Sequence, residues 1–135
     1  MTNWTMIGMA AVAAAGILVF LQFQTPKGYE VRALTAKELI DSRAVVVDIR
    51  RPEEWRATGV IKGAKLVTFT SAENLLAQIG PLAEGQSLVL ICHSGRRSAA
   101  AASALVGKVK GPIISYQGGM SAWVAGKGQI TTPKL

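Results

Sequence analysis

Cys92-His93-Ser94-Gly95-Arg96-Arg97-Ser98 gathers a thiol, an imidazole, two hydroxyls and two guanidinium groups around one glycine, and holds the chain's one cysteine and one histidine. The segment follows an apolar run and leads into an alanine-rich helix, so the thiol stands at a strand-to-helix turn whose amides converge, an arrangement that cradles anions. A helix N-terminus and two arginines favour thiolate over thiol and lower the Cys92 pKa below its reference of about 8.5. The product is a nucleophile at neutral pH. Gly95 supplies the positive φ that a tight loop needs, and Ser98 is placed to cap the helix and donate to the sulfur. His93 is adjacent to the cysteine, where side chains in an extended turn diverge, and reads as a loop residue rather than a general base. The bland alternative is a buried cysteine acting as a small hydrophobe, which leaves the two arginines and the glycine unexplained. One cysteine excludes an intramolecular disulfide, and one Cys with one His excludes a Cys/His zinc site of the usual kind.

The elements that must position this loop are legible in the apolar runs. Ala44 to Ile49 and Ser87 to Ile91 are short, apolar at consecutive positions and partly β-branched, which suits strands covered on both faces. Ile113 to Tyr116 and Lys65 to Val67 are weaker versions. Thr35-Ala36-Lys37-Glu38 reads as a capping box opening a helix towards Asp41. Further helices are expected over Pro52 to Arg56, Ser71 to Ile79, Ser98 to Val106 and Met120 to Ala125, several ended by glycine. Strands alternating with helices imply an α/β fold with a parallel sheet, whose ligand sites lie outside the carboxyl ends of the strands. The loop after Ile91 is at such an end.

At this point the chain resembles the rhodanese-like domains. Cys92 to Ser98 is similar to that family's Cys-x-x-Gly-x-Arg-Ser loop. Val46-Val47-Asp48-Ile49-Arg50 with Pro52-Glu53-Glu54-Trp55 resembles its strand ending in Asp-x-Arg before a short acidic helix. Gly59-Val60-Ile61-Lys62-Gly63-Ala64 resembles its Gly-His-Ile-Pro-Gly-Ala turn, with Val60 for the histidine and Lys62 for the proline, and Gly118-Gly119 to Trp123 its Gly-Gly-x-x-x-Trp. The resemblance implies a five-stranded parallel sheet flanked by helices and a sulfurtransferase in which Cys92 carries a sulfane sulfur as a persulfide. His93, Ser94, Gly95, Arg96, Arg97 and Ser98 would bind the substrate. Arg97 would bind donor oxygens or fix the loop by pairing with a carboxylate such as Asp48. Asp48, read as structural, and Arg50 would border the site, with Trp55 beside them, and Trp123 would be core. The donor would be a small anion such as thiosulfate, the acceptor cyanide, a thiol or a protein cysteine, with no cofactor.

Two rival readings stand beside it. Cysteine phosphatases and some arsenate reductases place five residues between thiol and arginine, whereas Cys92 and Arg97 enclose four, which narrows the cradle towards a single sulfur. A non-catalytic binding or regulatory module keeps the fold without the chemistry, and the intact loop counts against it.

Half of the residues are hydrophobic and 17% charged, which excludes a disordered or highly charged coiled-coil chain. Every charged residue lies at Lys27 or beyond, so the net charge of +7 falls wholly on the C-terminal part. That favours anionic ligands; basic residues are not interleaved with aromatics, and nucleic acid is not expected as a partner. Met6 to Phe23 carries no charge, and as a helix it would span roughly 27 Å, close to a bilayer core of about 30 Å. The expected organisation is a transmembrane helix within 1–25, a linker at 26–28 and a rhodanese-like domain over 29–135. Trp4 and Tyr29 would sit at the two interfaces. A cleaved signal peptide is the competing reading, since Ala13 and Ala15 give an A-x-A pattern, but no Lys or Arg precedes the segment. Lys27, Arg32, Lys37 and Arg43 follow it, which places the domain on the cytoplasmic side of a single-pass membrane protein by the positive-inside rule.

Overall fold

The computed structural model describes residues 27–135, and the expected membrane span over 6–23 lies outside the described residues. Among the described residues no helix is long and apolar enough to cross a membrane.

Among the described residues five strands and five helices alternate: β1 Glu30–Arg32, α1 Ala36–Ser42, β2 Val45–Asp48, α2 Pro52–Thr58, β3 Lys65–Leu66, α3 Ala72–Ile79, β4 Leu88–Ile91, α4 Arg96–Leu105, β5 Ile113–Tyr116 and α5 Gly119–Ala125. The sheet runs β1-β5-β4-β2-β3 with every pair parallel. β4, at its centre, is apolar at each position and fully buried along its length. Because side chains alternate across a strand, Leu88, Leu90 and Cys92 enter one core with Leu75, Ala101, Ala102 and Leu105 of α3 and α4. Val89 and Ile91 enter the other, with Leu39 of α1 and Met120 and Trp123 of α5. The thiol therefore hangs from the first residue past the central strand, at the sheet's carboxyl edge.

Local chemistry sets the helix starts. Thr35 Oγ1 accepts the Glu38 amide at 3.2 Å while Glu38 Oε2 accepts the Thr35 amide at 2.7 Å, completing the capping box. Ser71 caps α3 through the Asn74 amide at 3.1 Å, and Pro52 opens α2, where its missing N–H costs nothing.

β1 carries no apolar signature, and its three residues are exposed. It is a strand because β5 offers a free edge, pairing Val31 with Ser115 and Arg32 with Tyr116. Tyr29 packs half-buried against the core beneath α3 and α4. An aromatic ring one residue before an edge strand finds apolar area on its own domain.

Candidate active site

Cys92 is fully buried at the floor of its loop. Its Sγ accepts the Gly95 amide at 3.0 Å and the Ser98 amide at 3.4 Å, and lies 3.5 Å from the Ser98 hydroxyl. Burial is the largest single influence on the thiol and pushes its pKa up. The Ser98 hydroxyl and the amides of Ser98, Gly95 and Ser94 act together in the other direction and outweigh it, leaving Cys92 below its ordinary value. Of the two influences expected, the helix N-terminus and the arginines, it is the amides and hydroxyl at the helix N-terminus that lower it.

Gly95 makes the loop close. Its φ of 94° lies in the left-handed region, and a Cβ there would stand 3.1 Å from the Gly118 amide nitrogen. Helix α4 consequently starts at Arg96, two residues earlier than expected, with Gly95 as its N-cap. Ser98 is therefore not the cap. It lies in the first turn, where its hydroxyl reaches back to Gly95 O at 3.1 Å and inward to the sulfur.

The two arginines divide. Arg97 forks onto Glu54 of α2, with Nη1 at 2.9 Å from Oε2 and Nη2 at 2.6 Å from Oε1, and the pairing raises its pKa. The Arg97 guanidinium in turn holds the Glu54 carboxyl down at about 2. Of the two roles expected for Arg97, the structure shows the pairing with a carboxylate, but the partner is Glu54 and not the suggested Asp48, which is taken by Arg50, whose Nη2 lies 2.8 Å from Oδ2 and whose Nε lies 3.0 Å from Oδ1. Both partners are completely buried. The remaining Arg50 donors go to Thr58 Oγ1 at 2.6 Å and to Gly59 O at 2.9 Å, so the guanidinium suggested as a possible border of the site has its donors engaged with β2 and the end of α2. It ties the end of β2 to the far end of α2. Removing one partner of such a buried pair costs about 3–5 kcal/mol, which gives Asp48 and Arg50 a structural job.

Arg96 is exposed and forms no ion pair among the described residues. Ser94 and His93 are exposed at the rim, and His93 Nε2 lies 3.5 Å from Ser121 Oγ with no hydrogen bond to the sulfur. An apolar groove lined by Thr58, His93, Met120, Ser121, Val124 and Ala125 opens beside it.

Three contributors were not assigned from sequence. Glu54 was seen only as part of an acidic helix; α2 leaves the same sheet edge as the basic loop, and there it meets Arg97. Ser115, in β5, lies with its hydroxyl 2.8 Å from that of Ser98. Gly118 and Gly119 form a seat under the loop: Cys92 O accepts the Met120 amide at 2.7 Å and His93 O the Ser121 amide at 3.0 Å. A Cβ on Gly119 would stand 2.5 Å from Cys92 O.

With the fold and the loop in place, comparison with known proteins gives a match to the rhodanese-like domain over residues 32–126. The chain belongs to the rhodanese-like family. A relative from Ectopseudomonas mendocina, the thiosulfate sulfurtransferase GlpE, is 33% identical over 90 residues, covering 67% of this chain and 79% of its own. Among solved structures, a Rhodopseudomonas palustris protein of unknown function, described as a possible tyrosine phosphatase, is 30% identical with a TM-score of 0.59, over 75% of this chain and 85% of that one. The polysulfide-sulfur transferase homodimer of Wolinella succinogenes shares the fold with a TM-score of 0.59 at 23% identity, over 77% of this chain and 79% of its own.

The rhodanese-like domain departs from its family pattern away from the loop. Val60, in place of the family histidine, is buried and pairs its backbone with Thr131 through bonds of 2.9 and 2.7 Å. Lys62, in place of the proline, is exposed. Both substitutions sit in the turn that receives the C-terminal segment, and Trp123 is core, its Nε1 donating to Gln129 O at 2.9 Å.

Proposed function

We propose that this rhodanese-like chain is a sulfurtransferase that moves a sulfane sulfur through a persulfide on Cys92. The observation that carries the reading is the convergence of two loop amides on Cys92 Sγ at the start of α4. The thiolate attacks the outer sulfur of thiosulfate, a sulfur–sulfur bond forms, and sulfite departs with the electrons of the broken bond. Amides from His93 to Ser98 bind the charge on the terminal sulfur, and Arg96 attracts the dianionic donor. A second nucleophile, cyanide or a thiol, then takes the terminal sulfur and restores the thiolate. Atoms and electrons balance with donor and acceptor alone, so the exchange needs no cofactor. Thiosulfate as donor has support from the name of the GlpE relatives.

Intact mass of the full chain after thiosulfate treatment tests this. The wild type gains one sulfur atom, Cys92→Ser gains none, and cyanide removes the sulfur as thiocyanate. No uptake from thiosulfate or from a persulfide donor rejects the reading and leaves a binding module, with phosphatase assays next.

We also infer that residues 6–23 anchor the chain in a membrane with the rhodanese-like domain on the cytoplasmic side. Support comes from the charge-free run and from the cations that follow it. A reporter active only outside the cytoplasm, fused after Leu135, is expected to stay silent, and activity there overturns the orientation.

A further inference from the structure

We propose that Ser115 is a positioning residue for Cys92, acting through Ser98, and that it fixes the direction of the hydrogen-bond chain that stabilises the thiolate. The inference deepens the nucleophilic role of Cys92 proposed above and rests on it.

Ser115 is a hydroxyl in an otherwise apolar stretch of β5 and is completely buried. A buried hydroxyl is costly unless it is bonded. Its one hydrogen-bond partner through the side chain, among the described residues, is Ser98 Oγ at 2.8 Å. Ser98 Oγ, itself fully buried, has two more neighbours: Gly95 O at 3.1 Å and Cys92 Sγ at 3.5 Å.

Counting protons sets the direction. Gly95 O only accepts, and each serine has one O–H to give. If Ser98 donated to Ser115, neither Gly95 O nor the sulfur would receive a proton from Ser98, and the Ser115 proton would have no acceptor. Ser115 therefore donates to Ser98. While Cys92 is a thiol, its S–H points at Ser98 Oγ and the Ser98 proton goes to Gly95 O. When the thiol ionises, the S–H is gone and the Ser98 proton turns to the sulfur. The Ser115 proton stays on Ser98 Oγ and polarises it, and the chain reads Ser115 O–H to Ser98 O–H to sulfur anion.

Of the charged and titratable groups near the loop and β5, Arg96 of α4 is exposed to solvent, and the others are separately engaged. Arg97 of α4 is held by Glu54 of α2, Asp48 of β2 by Arg50, and the Tyr116 hydroxyl of β5 by Leu34 O. His93 on the loop approaches Ser121. None of them is a hydrogen-bond partner of Ser115.

The test is the pH profile of Cys92 in the full chain, read as the rate of alkylation by iodoacetamide and as thiolate ultraviolet absorbance. The single cysteine makes both signals specific. Ser115→Ala is expected to move the profile to higher pH by about 0.5–1 unit, a threefold to tenfold loss of thiolate below the midpoint. Ser115→Thr keeps the hydroxyl and the wild-type profile. In a Ser98→Ala background, Ser115→Ala adds no further shift, because its route to the sulfur is already cut. Should alanine unfold the chain, the shape-matched pair decides: Ser115→Val shifts the profile and Ser115→Thr does not. An unmoved profile in Ser115→Ala or Ser115→Val, or an equal shift with Ser98 already removed, overturns the proposal. The readout does not depend on sulfur transfer. A chain that shows the shift but accepts no sulfur keeps the relay and loses the function proposed above.

Discussion

Glu54 joins two neighbouring elements with one carboxylate. Its Oε2 accepts the Arg51 amide at 2.9 Å at the start of α2, while both oxygens hold the Arg97 guanidinium at the start of α4. Arg97 is the first cause of its depressed pKa of about 2, against an ordinary 4.5. A folded-state pKa below the unfolded one contributes stability that is complete above about pH 4.5 and disappears as pH falls towards 2. The pair is partly exposed, 43% for Arg97 and 29% for Glu54, so solvent screening limits its worth to about 1 kcal/mol. Glu54→Gln is therefore expected to cost about that amount at neutral pH, with the gap from wild type closing as pH falls through the same window. Urea unfolding at a series of pH values measures it, and a gap that is constant with pH contradicts the assignment.

At the scale of elements, the loop is held from two sides. Helix α4 supplies the amides in front of the sulfur, and the Gly118-Gly119 turn into α5 supports the peptide behind it. Gly119 has a φ of 60° and no room for a side chain beside the Cys92 carbonyl. Gly80 has a similar φ of 74° but open space around its Cβ position. The two glycines separate conformational strain from crowding. Gly80, with ψ of −175°, sits in a region that is essentially glycine-only, so Gly80→Ala is expected to cost about 1–3 kcal/mol of backbone strain and leave Cys92 alkylation unchanged. Gly119→Ala is expected to cost more than about 2 kcal/mol and to slow alkylation and sulfur uptake, because the loop must shift to admit the methyl. Denaturant midpoints and alkylation rates on both variants decide it; equal behaviour would show that the seat under the loop is irrelevant to the sulfur.

For the whole molecule, charge is the property that reaches beyond contact. The net +7 lies on residues 27–135, and Arg96 carries one of those charges at the loop. Screening shortens the reach of that field from about 10 Å at 0.1 M salt to about 3 Å at 1 M. The apparent second-order rate of sulfur uptake from thiosulfate is expected to fall as salt rises, and Arg96→Ala to reduce the low-salt rate about two- to fivefold and flatten the dependence. A rate indifferent to salt would remove Arg96 from donor attraction.

How much of this was readable in the chain follows from the range of the forces involved. The capping box at Thr35, the buried strands around Val47 and Leu90, the parallel α/β order and the thiol at a strand-to-helix turn are set by near neighbours and by apolar runs, and the sequence determined them. Its reading of His93 as a loop residue and Asp48 as structural rested on the same local logic. Tertiary structure alone decided the rest. Residues 30–32 become a strand only because β5 has an open edge, Arg97 meets Glu54 rather than Asp48 because β2 and β4 bring α2 and α4 to one edge, and Arg50 turns inward because its fork finds Thr58 and Gly59 at the far end of α2. Ser98 left the cap because Gly95 could adopt the left-handed turn first, and its hydroxyl then met Ser115 across the sheet. Partners far apart in sequence meet only after the strands have chosen their order, and no spacing along the chain encodes that meeting.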